Sequence, residues 1–124
     1  MKIRSWAPAD LPALQAMNAA AVPAVNDFDR DALKALLVDA LAGLVAEADG
    51  APVGFVVCLP EGLAYASENY RWFAARYDRF AYVDRAVVHA AYRGRGIGGA
   101  LYDAVQARLA GRRPVLTCEV NAEP

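Results

Sequence analysis

The chain has 124 residues, with 57% hydrophobic and 22% charged residues, a balance that excludes a disordered chain and suits one soluble globular domain over residues 1–124. A formal net charge of −1 counts against nucleic-acid binding driven by overall charge. No apolar run approaches the length of a membrane span, and Met1 to Trp6 lacks the apolar core of a signal peptide, so a cytoplasmic protein without a membrane partner is expected. Cys58 and Cys118 stand alone in strand-like runs and read as reduced, buried thiols. With one His and no Cys pair at ligand spacing, no metal site is expected.

Lys2 to Trp6 reads as a short strand. Pro8 and Pro12 sit at the start of a helical stretch whose apolar face is Leu11, Leu14 and Met17, and which ends at Ala21-Val22-Pro23. Asp29 is placed to cap a second helix. Leu33, Leu36, Leu37, Ala40 and Leu41 form its apolar stripe, and Gly43 reads as its stop signal. Leu44 to Ala48 and Val53 to Leu59 follow as two strands around an Asp49-Gly50 hairpin turn.

Leu63 to Arg79 departs from this regularity. Seven of the twelve aromatic residues fall between Tyr65 and Tyr82, too much apolar surface to leave in water, so a structured insertion is expected, helical from about Glu68 to Tyr77. It reads as a pocket wall that packs on the core, a lid or a dimer contact. Asn69, Arg71 and Arg76 within it would suit an acceptor carrying a carboxylate or phosphate, or else form a solvated face.

Phe80 to His89 is the next strand and Ile97 to Leu109 the next helix, capped at Gly111 and stopped by Pro114, before a last strand from Val115 to Val120. The order is β-α-α-β-β-insertion-β-α-β: a mixed α/β sheet, antiparallel early, closing with a parallel β-α-β unit.

Between that strand and helix lies Arg93-Gly94-Arg95-Gly96-Ile97-Gly98-Gly99. Its glycines let the backbone turn sharply and approach a ligand closely. Amide groups at the helix N-terminus can then hold an anion, with two arginines available for further phosphate contacts. The expected ligand is a phosphate-bearing cofactor. Read instead as a nucleic-acid contact, the Arg93–Arg95 cluster would have to act against the net charge of −1.

This stretch resembles the Arg/Gln-x-x-Gly-x-Gly/Ala signature of the GNAT-type N-acetyltransferases. Val87-Val88 upstream, Tyr92 before the arginine, Leu101 in the following helix and the order of elements from Ile3 onward add to the resemblance, which spans the chain apart from the long aromatic insertion. It implies that acetyl-CoA is the cosubstrate, its pyrophosphate held by Arg93, Gly94, Arg95, Gly96, Ile97, Gly98 and Gly99. It also implies a bulge in the fourth strand at Ala86, Val87 and Val88, whose free backbone groups hold the pantetheine arm. Ala90 stands where the family usually has proline. The implied reaction is direct attack of a small-molecule or peptide primary amine on the thioester in a ternary complex.

Two carboxylates are candidates for orienting or deprotonating that amine. Asp84, on the fourth strand, otherwise pairs with Arg85 or Arg79; Glu119, on the fifth, would act through water. His89 reads as an exposed strand-end residue, and Tyr92 and Tyr102 as packing around the helix. The family continues past the fifth strand with a helix and two strands, which usually carry a tyrosine general acid. This sequence ends at Val120-Asn121-Ala122-Glu123-Pro124, so the expectation is a truncated form or a remainder supplied by another chain. Association between copies, as a homodimer, or strand exchange follows from the uncovered edge. The alternative function is a CoA-binding or regulatory module without catalysis.

Overall fold

The computed structural model describes residues 1–109 and the backbone of residues 115–117. Five strands form one sheet in the order β1 (Lys2–Ser5), β2 (Ala42–Ala48), β3 (Ala51–Pro60), β4 (Ala81–Val88) and β5 (Val115–Thr117). The first four pair antiparallel with their neighbours, and β5 runs parallel to β4, opposite Ala81 to Val83. The helices are α1 (Leu11–Ala20), α2 (Arg30–Asp39), α3 (Glu68–Ala74) and α4 (Ile97–Leu109). The fold is thus mixed α/β, with α1, α2 and α3 packed on one face of the sheet and α4 on the other.

Period-2 alternation divides the buried side chains into two clusters. On one face Val45, Phe55, Val57 and Leu59 meet Leu14, Leu33 and Leu37. On the other Leu44, Ala46, Val56 and Cys58 meet Ile97, Leu101 and Val105 of α4. Each fully buried Val, Leu or Phe contributes about 1.5–3 kcal/mol, so both faces stabilise the sheet. Asp49 and Gly50 both take positive φ, 55° and 78°, the geometry of a tight two-residue hairpin. Asp29 caps α2 by accepting a hydrogen bond from Ala32 N–H at 2.8 Å.

Three local expectations shift. α2 ends at Asp39, and Ala40 is already extended, so Gly43 does not stop the helix. It lies within β2, where a Cβ would come within 2.8 Å of Trp6 Cδ1 and 2.9 Å of Leu37 Cδ2. The glycine makes room for the indole that crosses it. The insertion helix stops at Ala74 rather than near Tyr77, its start fixed by Ser67, which accepts a hydrogen bond from Tyr70 N–H. Tyr70 is the insertion's anchor: it is buried among Tyr65, Phe80 and Tyr82, and its hydroxyl donates to Pro60 O and accepts from Leu63 N–H.

The third shift concerns the bulge. Val57 opposes Arg85 while Cys58 opposes Val83, which leaves Asp84 as the extra residue of β4. Ala86, Val87 and Val88, the expected bulge positions, pair in regular register with Val56, Phe55 and Gly54. The extra residue reverses the parity of the strand. Tyr82, Arg85 and Val87 consequently point to the α1 side, and Ala81, Val83, Ala86 and Val88 to the α4 side.

Candidate active site

The glycine turn forms as the sequence implies. Gly94 and Gly96 hold φ values of 80° and 78°, left-handed conformations in which a side chain would be strained. Ile97 drives the turn into place by burying its side chain against the sheet. The first bond of α4 runs from Ala100 N–H to Gly96 O at 3.0 Å. The amides of Ile97, Gly98 and Gly99 therefore have no carbonyl to meet within the helix. Gly98 and Gly99 have open space outside: a Cβ at either position meets nothing within 4 Å. These two glycines are not required by packing, whereas Gly94 and Gly96 are required by the backbone. Arg93 and Arg95 are exposed, and the Arg95 guanidinium lies 4.9 Å from the centre of the Tyr92 ring. The partial positive charge of the helix end thus borders open space, with Arg93 and Arg95 exposed in the same turn.

β4 leads into this opening. His89 N–H donates to Val53 O at 2.8 Å, which fixes the alternation along the strand. The backbone groups of Arg85 and Val87 face β3, and those of Ala86 and Val88 face the opposite side. Among the described residues, β5 meets β4 only at Ala81, Tyr82 and Val83. Ala86 and Val88 thus turn their backbone groups away from β3, in the part of the strand that leads to the glycine turn. Next to them, a cavity of about 400 Å³ opens between α1 and the end of β4. Ala13, Ala16, Met17 and Ala20 form one wall, and Val88, His89 and Arg93 line the side nearest the turn.

Asp84 and Arg85 form a buried pair, with Arg85 Nε 2.7 Å from Asp84 Oδ2 and side chains only 5% and 3% exposed. The pairing is with Arg85, not Arg79, and it lies inside the protein because the bulge turns both side chains to the α1 face. Tyr65 of the insertion donates its hydroxyl to Asp84 Oδ1 at 2.8 Å. Arg85 Nη1 donates to Asn18 Oδ1 at 2.8 Å and to Asn26 O at 2.9 Å, and its guanidinium lies over Phe28. Burial, then the neighbouring Asp84 charge, pushes the Tyr65 hydroxyl well above its ordinary range, so it stays protonated. This network ties α1, the α1–α2 connection and the insertion to the bulged strand. Each partner comes from a different part of the chain, and no local pattern marks Asn18 or Tyr65.

His89 is exposed, as its position at the strand end implies, and its Nδ1 accepts from Ala91 N–H at 3.0 Å. Tyr92 and Tyr102 pack around α4. Arg71 and Arg76 donate to Ala66 O and Trp72 O on the exposed side of α3, the solvated face rather than a pocket. Glu119 lies outside the described residues, as do Cys118, Gly111 and Pro114. No cluster of ligating side chains suited to a metal occurs among the described residues, and no helix among them is long and apolar enough to cross a membrane.

A glycine turn at a helix N-terminus whose first amides have no partner within the helix suits an anionic ligand. The family comparison agrees: the chain belongs to the acetyltransferase (GNAT) family, whose model matches residues 4–123. No curated protein matches its sequence. Among solved structures, it is similar to a ribosomal-protein-alanine N-acetyltransferase from Brucella melitensis, at 26% identity and a TM-score of 0.69. That match covers 94% of this chain and 73% of the other. A GNAT family acetyltransferase from Brucella melitensis in complex with acetyl-CoA shares the fold, at 23% identity and a TM-score of 0.68, covering 94% and 73%. A GNAT-like decarboxylase, GphF, in complex with isobutyryl-CoA matches at 25% identity and a TM-score of 0.73, covering 94% and 65%.

Proposed function

We propose that the chain is an acetyl-CoA-dependent N-acetyltransferase acting on a primary amine. The observation that carries this reading is the set of outward amides at Ile97, Gly98 and Gly99, framed by Gly94 and Gly96 at positive φ and flanked by Arg93 and Arg95. These groups fit a pyrophosphate: the amides donate, the glycines leave room, and the arginines neutralise charge. The backbone of Ala86 and Val88 offers the pantetheine arm a strand-like partner, with Val87 holding the register against Phe55. Bound there, acetyl-CoA supplies an activated acyl group.

The chain's own part is to orient the two reactants and exclude water. The acceptor nitrogen forms its bond to the acyl carbon, the carbon–sulfur bond breaks, and the proton lost by nitrogen ends on the thiol. Asp84 already accepts hydrogen bonds from Arg85 and Tyr65, so we assign it a positioning role: it holds the bulge and, through Tyr65, the insertion. Glu119 is retained as the candidate base acting through water.

Calorimetric titration with acetyl-CoA and with isobutyryl-CoA, followed by mass spectrometry of products from an amine panel, tests the reading. Saturable acetyl-CoA binding with acetyl transfer to an amine is expected. Binding without transfer to any amine would favour a CoA-binding module. Absence of saturable binding would remove both readings.

A further inference from the structure

The chain leaves the sheet at His89, whose N–H donates to Val53 O at 2.8 Å, and is next buried at Ile97. Between them, residues 90–96 are exposed apart from the half-buried Tyr92. Two backbone bonds brace the start of this span. Tyr92 N–H donates to His89 O at 2.8 Å, and Arg93 N–H reaches Ala90 O only at 3.5 Å, long for such a bond. Gly94 and Gly96 follow at positive φ, and glycine loses more backbone freedom on ordering than any other residue. The turn offered to the phosphates thus has little support of its own.

His89 supplies a further tie. Its Nδ1 accepts from Ala91 N–H at 3.0 Å and so caps the short 3-10 turn Ala90–Tyr92. Among the described residues this is the one hydrogen bond from a side chain to the backbone of residues 90–96. The ring also meets Tyr92 edge-on, with centroids 6.0 Å apart and planes at 86°. The Arg95 guanidinium lies over that same tyrosine. A side chain rooted at the end of β4 therefore holds Ala91 directly, and Tyr92 and Arg95 in series.

We propose that His89 is a positioning residue for the phosphate turn: by capping Ala91 it keeps Arg93 to Gly96 in the binding shape before the cosubstrate arrives. The inference rests on the acetyl-CoA reading above and adds a residue to it. A turn that is only partly populated in its binding shape raises the apparent Kd by the inverse of that population. Loss of a side-chain cap corresponds to about a fivefold change in such a population. His89 also lines the cavity beside α1 together with Arg93, so direct contact with the ligand is the competing role.

His89→Ala and His89→Asn separate the two roles. Asparagine is among the best capping residues but lacks the ring, and neither replacement carries a charge, so the difference between them isolates the cap. Acetyl-CoA is titrated calorimetrically into wild type and both variants, and solvent-exchange rates of the Ala91 and Gly94 amides are measured by NMR without ligand. His89→Ala should bind acetyl-CoA about fivefold more weakly, with Ala91 exchanging about fivefold faster. His89→Asn should return both quantities to within about twofold of the wild type. An alanine variant that binds like the wild type would overturn the inference. So would an asparagine variant as weak as alanine, which would make the imidazole a ligand contact instead. If the wild type itself does not bind acetyl-CoA, the acetyltransferase reading fails. The exchange rates then decide the ordering role alone, and rates unchanged in His89→Ala would overturn it.

Discussion

Gly98 separates what the fold needs from what a ligand needs. It stands in the first turn of α4 with ordinary helical backbone, and a Cβ there meets nothing within 4 Å. Replacing it with leucine removes a helix-weakening glycine, worth about 0.5 kcal/mol at this first-turn position. For a chain of this length that raises Tm by about 2 °C. A helical leucine side chain lies over the turn N-terminal to its own Cα. Here that turn is Gly94–Ile97, where the pyrophosphate is proposed to sit. Blocking even one charge-assisted amide bond costs about 2 kcal/mol, or about thirtyfold in Kd. Gly98→Leu should therefore melt slightly higher than the wild type and bind acetyl-CoA at least about thirtyfold more weakly. Gly98→Ala has nearly the same helix propensity but too short a side chain to cover the turn, so it should retain most of the affinity. Differential scanning calorimetry and isothermal titration on the three proteins measure both quantities. If Gly98→Leu binds acetyl-CoA like the wild type, the helix end is not the anion site. If it melts well below the wild type, the space outside Gly98 is not open.

Arg85→Met leaves the Asp84 carboxylate buried beside Tyr65 without its cation, and should cost about 3–5 kcal/mol in urea denaturation. Arg85→Lys should recover part of that loss. Gly43→Ala forces a methyl into Trp6 and Leu37, and should cost about 1–3 kcal/mol by the same measurement, with a change in Trp6 fluorescence. Hydrogen bonds from Arg4 hold the Asp10 carboxyl below its ordinary 3.8, against the opposing effect of burial. The unfolded chain therefore takes up that proton first as pH falls. The stability from Asp10 is complete above its unfolded value and is lost as pH drops through the folded one. The stability gap between wild type and Asp10→Asn should accordingly close in strong acid, as followed by thermal melts. A gap that persists there would contradict the assigned role of the Arg4–Asp10 pair.

The legible parts of this molecule were those written in neighbouring residues. The glycine turn, the Asp49-Gly50 hairpin and the Asp29 cap each depend on a few consecutive side chains and on backbone preferences that act locally. The bulge depends on how β4 registers against Val57 and Cys58 of β3, and nothing within β4 marks its position. That displacement from the expected Ala86–Val88 to Asp84 decides which face carries the buried ion pair. Gly43 shows the same limit: a glycine after an apolar helix reads as a stop, but its purpose lies in the Trp6 ring packed above it. The insertion was legible as an aromatic mass needing burial. Tyr70 as its anchor and Tyr65 as its link to Asp84 required the partners Pro60, Leu63 and Asp84 to be seen in place.

The turn from Arg93 to Gly99 is proposed to hold the phosphates of acetyl-CoA. Glycine amide signals occupy a separate region of a backbone NMR spectrum, so Gly94, Gly96, Gly98 and Gly99 can be followed directly as acetyl-CoA is added. Saturable movement of these four signals, centred on Gly98 and Gly99 and reproduced by CoA without its acetyl group, is the predicted result. Saturable binding that shifts other residues and leaves these glycines unmoved would contradict the account.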